Sequence, residues 1–443
     1  MTNVIFSFDT EDYVNPHAAD GILRVSRIVR EAGFTPCHNL VARTAEALEK
    51  WGRQDVLDEL KKCEIETHSL AHSHHPTINE YTDIADFDEA MRRFRANEDK
   101  ALEIIRGILG DCAFSAACPP GSSVSYVAHY GYADMGIPVY DGDILYDEVH
   151  GRPVSFCNML CLEYHCCMDV FGDWDKAQVL DMIEKMARYD VVVCYHHPAK
   201  NAAEEFCDRL NFEGANRDAR EWIMSTPRST EWIARFEGNM RFLAETVKND
   251  PRFIPSTYTE IAKKYTTHRV VKPRDIPKIR RAIGEELFPV TLPESLSLAD
   301  MMLACRDFLQ GKPEHVCGKV YGFLDVPYAV SQPVRIWPEE LRRSAAQIED
   351  GKFLPTVIDV GGKKLGPADW LRAALAILDG AEEFTVVPDR WQIDLNEFPQ
   401  LRSLRLKGSW VHSPDFEDAY ISDRLRLQSW TIRLPKGTMR KIF

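Results

Sequence analysis

The chain has 443 residues, which at about 150 residues per domain gives room for two to three domains with proper cores. Apolar residues make up 45% and charged residues 28%, ordinary globular usage that excludes a disordered chain or a small disulfide scaffold. Acidic residues outnumber basic ones by 68 to 54, a net charge of −14, so the surface field repels polyanions and neither nucleic acid nor an anionic membrane is expected as a partner.

In chain order, Val4 to Phe8 is a short apolar run of strand formers that stops at Asp9-Thr10-Glu11-Asp12. It reads as a buried strand delivering carboxylates at its C-terminal end. Ile22, Val25, Ile28 and Val29 then recur at helical spacing, and Gly33 marks the stop. Thr35 to Val41 reads as a second strand, Ala45 to Leu60 as a second helix, and Cys63 to Glu66 as a third strand leading into His68. Met91, Phe94, Leu102, Ile105 and Ile108 share one face of a long helix over 87–109 that ends near Gly110. Val179, Leu180, Ile183 and Met186 predict a further helix before the strand Val191 to Cys194. Such alternation predicts a parallel sheet with covering helices. Polar chemistry at strand ends favours a barrel, whose sites sit on the C-terminal rim.

Past Lys263-Lys264-Tyr265 the prolines become frequent and the rhythm is lost, which places a domain boundary near 266. The region 266–443 is expected to be α-rich or α+β. Within it, Leu298-Ala299-Asp300-Met301 is echoed by Pro367-Ala368-Asp369-Trp370, and Leu287-Phe288-Pro289-Val290 by Phe353-Leu354-Pro355-Thr356. These echoes predict a duplicated unit, with copies at about 280–345 and 346–443.

No basic, apolar and small-residue leader opens the chain, and no apolar run approaches the roughly 20 residues that cross a bilayer, so a cytoplasmic protein is expected. The twelve cysteines include the adjacent pair Cys166 and Cys167 and follow no framework spacing, which predicts reduced thiols.

Three segments put titratable residues just after a strand. Asp9, Glu11 and Asp12 would repel one another unless a cation or proton is present, although acids also suit the first turn of a helix. His68 and His72 lie four apart, so on a helical turn both imidazoles face one divalent ion, and the acids ending the first strand supply the oxygen ligand. His74 and His75 read as supporting or surface residues. In the third segment, Val191 to Tyr195 ends in His196-His197-Pro198, which offers an imidazole for proton donation. Two histidines and a carboxylate also suit iron(II), so a redox enzyme stays open on these residues alone.

The run Asp9 to Asp12, the spacing His68-Ser69-x-x-His72 and the strand ending in His197 resemble the motifs of the NodB-homology polysaccharide deacetylases, carbohydrate esterase family 4. The resemblance spans about residues 1–265 and implies a distorted (β/α) barrel of about seven strands that hydrolyses an N-acetyl amide or related C–N bond. It also implies a divalent metal, Zn2+ first, with Co2+, Ni2+ or Fe2+ open, and a carbohydrate or other small-molecule substrate. Asp9 then corresponds to the catalytic base, His68 and His72 to the histidine ligands, Glu11 or Asp12 to the acidic ligand, and His197 to the catalytic acid, with His196 open for that last role.

The family's third motif carries an arginine before a proline-glycine turn, whereas this chain reads Ala116-Ala117-Cys118-Pro119-Pro120-Gly121. Pro120 and Gly121 are expected to line the substrate pocket, with a backbone N–H between Cys118 and Gly121 holding the oxyanion. Asn211 to Gly214 and Trp174, Trp222 and Trp232 are further pocket candidates, although core packing is the stronger reading for the tryptophans. The missing arginine and missing leader keep two alternatives open: a cytoplasmic amidase or cyclic imidase on the same scaffold, and an inactive binding protein. A homo-oligomer is compatible with all of them.

Overall fold

The computed structural model describes residues 1–443 except 123–124, 143–148, 285–286, 293, 389–410 and 439–443. It separates into two compact units. The first comprises Met1–Pro153, Leu160–Tyr265 and Leu404–Ile421, and the second Val154–Met159, Thr266–Ser403 and Ser422–Phe443.

The first unit is built on a parallel sheet. Its strands are β1 (Thr2–Thr10), β2 (Cys37–Leu40), β3 (Glu64–Thr67), β4 (Ala116–Ala117), β5 (Val139–Asp141), β6 (Met159–Leu162), β7 (Tyr164–Cys167), β8 (Val191–His196) and β9 (Phe253–Pro255). The order runs β6-β5-β4-β3-β2-β1-β8-β7, with β9 on the start of β1. Of the strands in this unit, the two at the ends of this order, β6 and β7, are halves of one chain segment divided only by Glu163. The sheet therefore curls back on itself through that bend, and the architecture is barrel-like.

Period-two alternation along β1 decides what faces where. Val4, Phe6 and Phe8 point outward into a core with Val25, Ile28 and Val29 of helix Ala18–Glu31, Met182 and Ile183 of helix Lys176–Met186, and Phe236, Met240 and Leu243 of helix Thr230–Asn249. Phe6 and Phe8 are fully buried, worth about 1.5–3 kcal/mol each in transfer terms. Ile5 points inward, to Cys37, Ala116, Val139, Val193 and Tyr258. Two steps further along, the same parity puts Asp9 inside.

The helix over Phe87–Leu109 forms as its periodicity predicts. Asp86 caps it by accepting the Glu89 N–H at 3.0 Å, and Gly110, at φ 95°, ends it. The expected helix over 45–60 is instead two, Ala42–Lys50 and Gln54–Leu60, because Gly52 adopts φ 66° and turns the chain between them. All twelve cysteines are free. Among the described residues no helix is long and apolar enough to cross a membrane.

In the second unit, helix Leu298–Leu309 packs against helix Pro367–Leu378. Their capping residues Ser297 and Gly366 share φ −79° and ψ 165°. Val270–Val271 pairs with His315–Val316 around the first helix, and Val334–Ile336 with Phe384–Val386 around the second, both antiparallel. An antiparallel bridge Val290–Leu296 precedes the first helix, and the hairpin Ile358–Val360/Lys363–Leu365 precedes the second. These elements run over about 270–316 and 334–386 and do not follow the bounds 280–345 and 346–443 expected for two copies; residues 285–286 and 293 of the first range and 389–410 and 439–443 of the second lie outside the described residues.

Candidate active site

Asp9 sits on the inner face of β1, 3% exposed. Its Oδ1 accepts from Asn39 Nδ2 and from Tyr164 OH, each at 2.8 Å, and its Oδ2 lies 3.6 Å from His197 Nε2. Asn39 is inward on β2 by the same alternation, and Tyr164 opens β7. Two neutral donors thus fix this carboxylate. Sequence reasoning missed both. Asn39 lies within an otherwise unremarkable strand, and β7 is too short and cysteine-rich to show an apolar pattern.

Beyond Thr10 the two acids part company. Asp12 turns back on its own loop, accepting the N–H groups of Val14 at 2.9 Å and Asn15 at 2.8 Å and the Asn15 amide at 2.8 Å. It is an Asx-turn anchor, and the buried group of possible ligand atoms around His68 and His72 includes Glu11 rather than Asp12. Glu11 points inward, with Oε2 3.1 Å from His72 Nε2 and 3.4 Å from His68 Nε2. Burial pushes its carboxyl up to about 8 even though His72 and His197 oppose the rise.

The imidazoles do not converge by the route the spacing suggests. No helix follows β3; the chain turns, with Ser69 at φ 70° and His72 at φ 52°, and Ser69 Oγ accepts the His72 N–H at 3.1 Å. The two rings still meet, centroids 4.8 Å apart. The Nδ1 of His68 lies 2.8 Å from the Cys118 carbonyl, to which it donates, and His72 Nδ1 lies 3.1 Å from Asp208 Oδ1, which the Ser73 hydroxyl also reaches. Burial opposes charge on Asp208, yet His72 and these hydrogen bonds hold its carboxyl below the usual range. Each ring is therefore anchored at Nδ1 and presents Nε2 inward, the arrangement that orients histidine ligands.

One oxygen and two nitrogens from Glu11, His68 and His72 lie within 4.8 Å of one another, all buried. His68 Nε2 is a buried polar atom with no hydrogen-bond partner. That orphan, beside a carboxylate whose charge is disfavoured by burial, fits a divalent cation: two imidazoles and one carboxylate with open positions suit zinc. His74 and His75 are not part of the group. His75 bonds Glu80 at 2.9 Å and the Phe212 carbonyl at 2.9 Å, and His74 packs on Phe212.

On β8 the alternation separates the two adjacent histidines. His196 faces the helices, packed on Phe236 and accepting from Asn201 Nδ2 at 2.9 Å. His197 faces inward, its Nδ1 2.7 Å from Asp169 Oδ2. Burial disfavours the imidazolium, but Asp169, Glu11 and Asp9 together hold the His197 pKa well above its usual value. Asp169, two residues past β7, was not foreseen because that strand was not.

The turn Pro120–Ser122 forms, with Gly121 at φ 57° and Val411 so close that a Cβ there would meet it at 2.5 Å. The expected oxyanion donor narrows to one. Cys118 N–H already donates to Thr67 O at 3.0 Å, and Pro119 and Pro120 have no N–H, so Gly121 alone remains of the four. Asn211 is spent on the backbone of Cys207 and Ile223, and Trp174 and Trp232 pack on Phe171 and Phe236. Trp222 differs, lining a cavity of about 720 Å³ with Tyr13, Arg43, Trp51, His72 and His74. Neither Asp9 nor His197 lines that cavity, so side-chain geometry rather than cavity size locates the chemistry.

No family model matches the sequence, and no curated protein matches it. Among solved structures, a 4-alpha-glucanotransferase from Thermococcus litoralis is similar at 11% identity and TM-score 0.41, over 60% of this chain and 40% of that one, so the chain spans less than half of that protein. A family 4 carbohydrate esterase from Streptomyces lividans in complex with acetate is similar at 10% identity and TM-score 0.32, over 58% and 92% of the two chains. PuuE allantoinase is similar at 9% identity and TM-score 0.39, over 60% and 90%. Similarity at this level does not speak to activity.

Proposed function

We propose that the chain is a metal-dependent hydrolase of non-peptide C–N bonds, acting on an N-acyl carbohydrate or a comparable small amide. The observation that carries the reading is the unpartnered, buried His68 Nε2 aimed with His72 Nε2 and a Glu11 oxygen at one point, beside Asp9 and the His197–Asp169 pair. Glu11, His68 and His72 would hold the ion, Zn2+ first. A divalent cation bound there supplies Lewis acidity to the scissile carbonyl and acidifies water.

The side chains then divide the proton work. Asp9 takes the proton of the attacking water at Oδ2, since its Oδ1 is committed to Asn39 and Tyr164. His197 delivers a proton from Nε2 to the departing nitrogen, while Asp169 fixes the ring through Nδ1 and supports its charge. The Gly121 N–H is the candidate backbone donor for the developing oxyanion.

A second reading, a cytoplasmic amidase or cyclic imidase, is favoured by one feature: Asn39 and Tyr164 replace the family arginine at the base, so the site differs from a sugar deacetylase where the water is activated. Residues 266–443 are read as an accessory region with a duplicated strand–helix–helix–strand unit. Metal analysis coupled to a screen for acetate release from N-acetyl sugars and ring opening of small cyclic amides tests both. Acetate from a sugar supports the first reading, and ring opening alone the second. A protein that binds no divalent ion and turns over neither substrate class ends both.

A further inference from the structure

Cys118 occupies the place before the Pro119-Pro120-Gly121 turn where the resemblance leads one to expect a guanidinium, and its thiol is 1% exposed. Its Sγ contacts the Tyr164 hydroxyl, the same hydroxyl that donates to Asp9. Donor atoms of Asp9, His68 and Cys118 form a second buried group within 4.8 Å of one another. Atoms held at about 2.0–2.3 Å around a tetrahedral zinc lie roughly 3.3–3.8 Å apart, so small side-chain adjustments close this group on an ion. His68 is common to both groups, and because its Nδ1 is fixed on the Cys118 carbonyl, the Nε2 left without a hydrogen-bond partner is the nitrogen available to an ion in either.

We propose that the site offers a second, thiolate-containing position for a soft divalent ion, held by Asp9, His68 and Cys118. The inference rests on the metal-dependent reading above. A single imidazole nitrogen has one lone pair, so the Glu11–His68–His72 and Asp9–His68–Cys118 positions exclude each other and the chain binds one ion at a time. Occupying the second position deprotonates the thiol, its proton leaving to water, and engages the Asp9 carboxylate that the reaction needs as base. The second position is therefore a resting one, selective for thiophilic ions such as Zn2+, Co2+ or Cd2+ over Mn2+ or Mg2+.

Cobalt(II) titration of the full chain, followed by absorption and by metal content, is the test. Wild-type protein is expected to bind one cobalt and to show a thiolate-to-cobalt charge-transfer band. Cys118→Ser should lose that band, keep the ligand-field bands of the first position, and weaken Cd2+ at least about tenfold while leaving Mn2+ nearly unchanged. Glu11→Gln, which disables the first position, should strengthen the thiolate band. One bound cobalt without a thiolate band in wild type overturns the inference while leaving the hydrolase reading intact. A thiolate band that disappears in Glu11→Gln also overturns it, because the cysteine would then belong to the first position. No bound cobalt overturns both.

Discussion

His197 Nδ1 lies 2.7 Å from Asp169 Oδ2, and Asp169 Oδ1 accepts the backbone N–H of the same histidine at 3.0 Å. One carboxylate therefore fixes the ring, its tautomer and the strand end that carries it. In the proposed mechanism His197, and not the adjacent His196, donates the proton, because the inward ring turns its Nε2 toward Asp9, whereas His196 Nε2 is held by Asn201. Asp169→Asn keeps the shape and removes the charge. It should lower kcat by about 10²- to 10⁴-fold with bound zinc unchanged, since Asp169 does not face the ion-binding group. Steady-state turnover alongside zinc content checks this, and a kcat within tenfold of wild type would remove Asp169 from the mechanism.

Asp208 does for His72 what Asp169 does for His197. Its Oδ1 lies 3.1 Å from His72 Nδ1, leaving Nε2 for the ion. Asp208→Ala should weaken zinc about 10- to 100-fold, read by competition with a chromophoric chelator. Unchanged affinity would show that the turn, with its left-handed Ser69 and His72, orients the ring unaided.

The two acids after β1 should behave differently. Glu11→Ala removes an inward oxygen and is expected to empty the Glu11–His68–His72 position, so that any zinc retained is held with Asp9, His68 and Cys118. Asp12→Ala removes three hydrogen bonds from the loop and is expected to cost about 0.5–2 kcal/mol of stability while zinc stays bound. Zinc content and the urea midpoint of each variant decide it. Loss of zinc in Asp12→Ala with an unchanged midpoint would reverse the assignment.

Much of this was legible in the sequence because strand alternation is a strong rule. An apolar run ending in acids placed Asp9 at the C-terminal end of a buried strand, and a run ending in two histidines placed an imidazole at the end of another. Alternation also could have separated His196 from His197, had the strand's parity been fixed by a partner. What stayed hidden depended on short strands and on turns. β4 has two residues and β7 four, too few for a pattern, so Cys118, Tyr164 and Asp169 had no context. The His68–His72 spacing suggested a shared helical face, and the structure brings the rings together by another route. Left-handed residues in a turn, not a helical face, bring the rings together, and nothing local in Ser69 or His72 signals that conformation.

Glu98 is buried on the helix Phe87–Leu109, accepting from Tyr132 OH at 2.8 Å, and burial pushes its carboxyl up to about 7 against the help of Tyr132. The folded chain then holds a proton that the unfolded chain releases near the ordinary carboxylate value of 4.5. Its contribution is fully present below pH 4.5 and is lost as pH rises through about 7. Glu98→Gln cannot ionise, so its melting temperature should fall less than that of wild type between pH 5 and pH 8. Parallel pH profiles of the two proteins would refute this.

His38 gives the opposite slope. On the outer face of β2 its Nδ1 lies 2.8 Å from Thr10 Oγ1 and its Nε2 2.9 Å from Ser26 Oγ, and burial lowers its pKa to about 3 against the opposing charge of Glu59. Above the unfolded value of 6.5 the ring is neutral in both states and its full contribution is present. As pH falls from 6.5 towards 3 the unfolded chain takes up a proton that the folded chain refuses, and stability is lost. Between pH 7 and pH 5 this amounts to roughly 2 kcal/mol, at about 1.4 kcal/mol per pH unit below 6.5. His38→Gln should be less stable than wild type at pH 7, because it cannot match both hydroxyls, yet lose less stability on acidification to pH 5. Urea unfolding of both proteins at the two pH values measures the difference, and an equal acid loss in the variant would mean that His38 does not set the acid sensitivity of this unit.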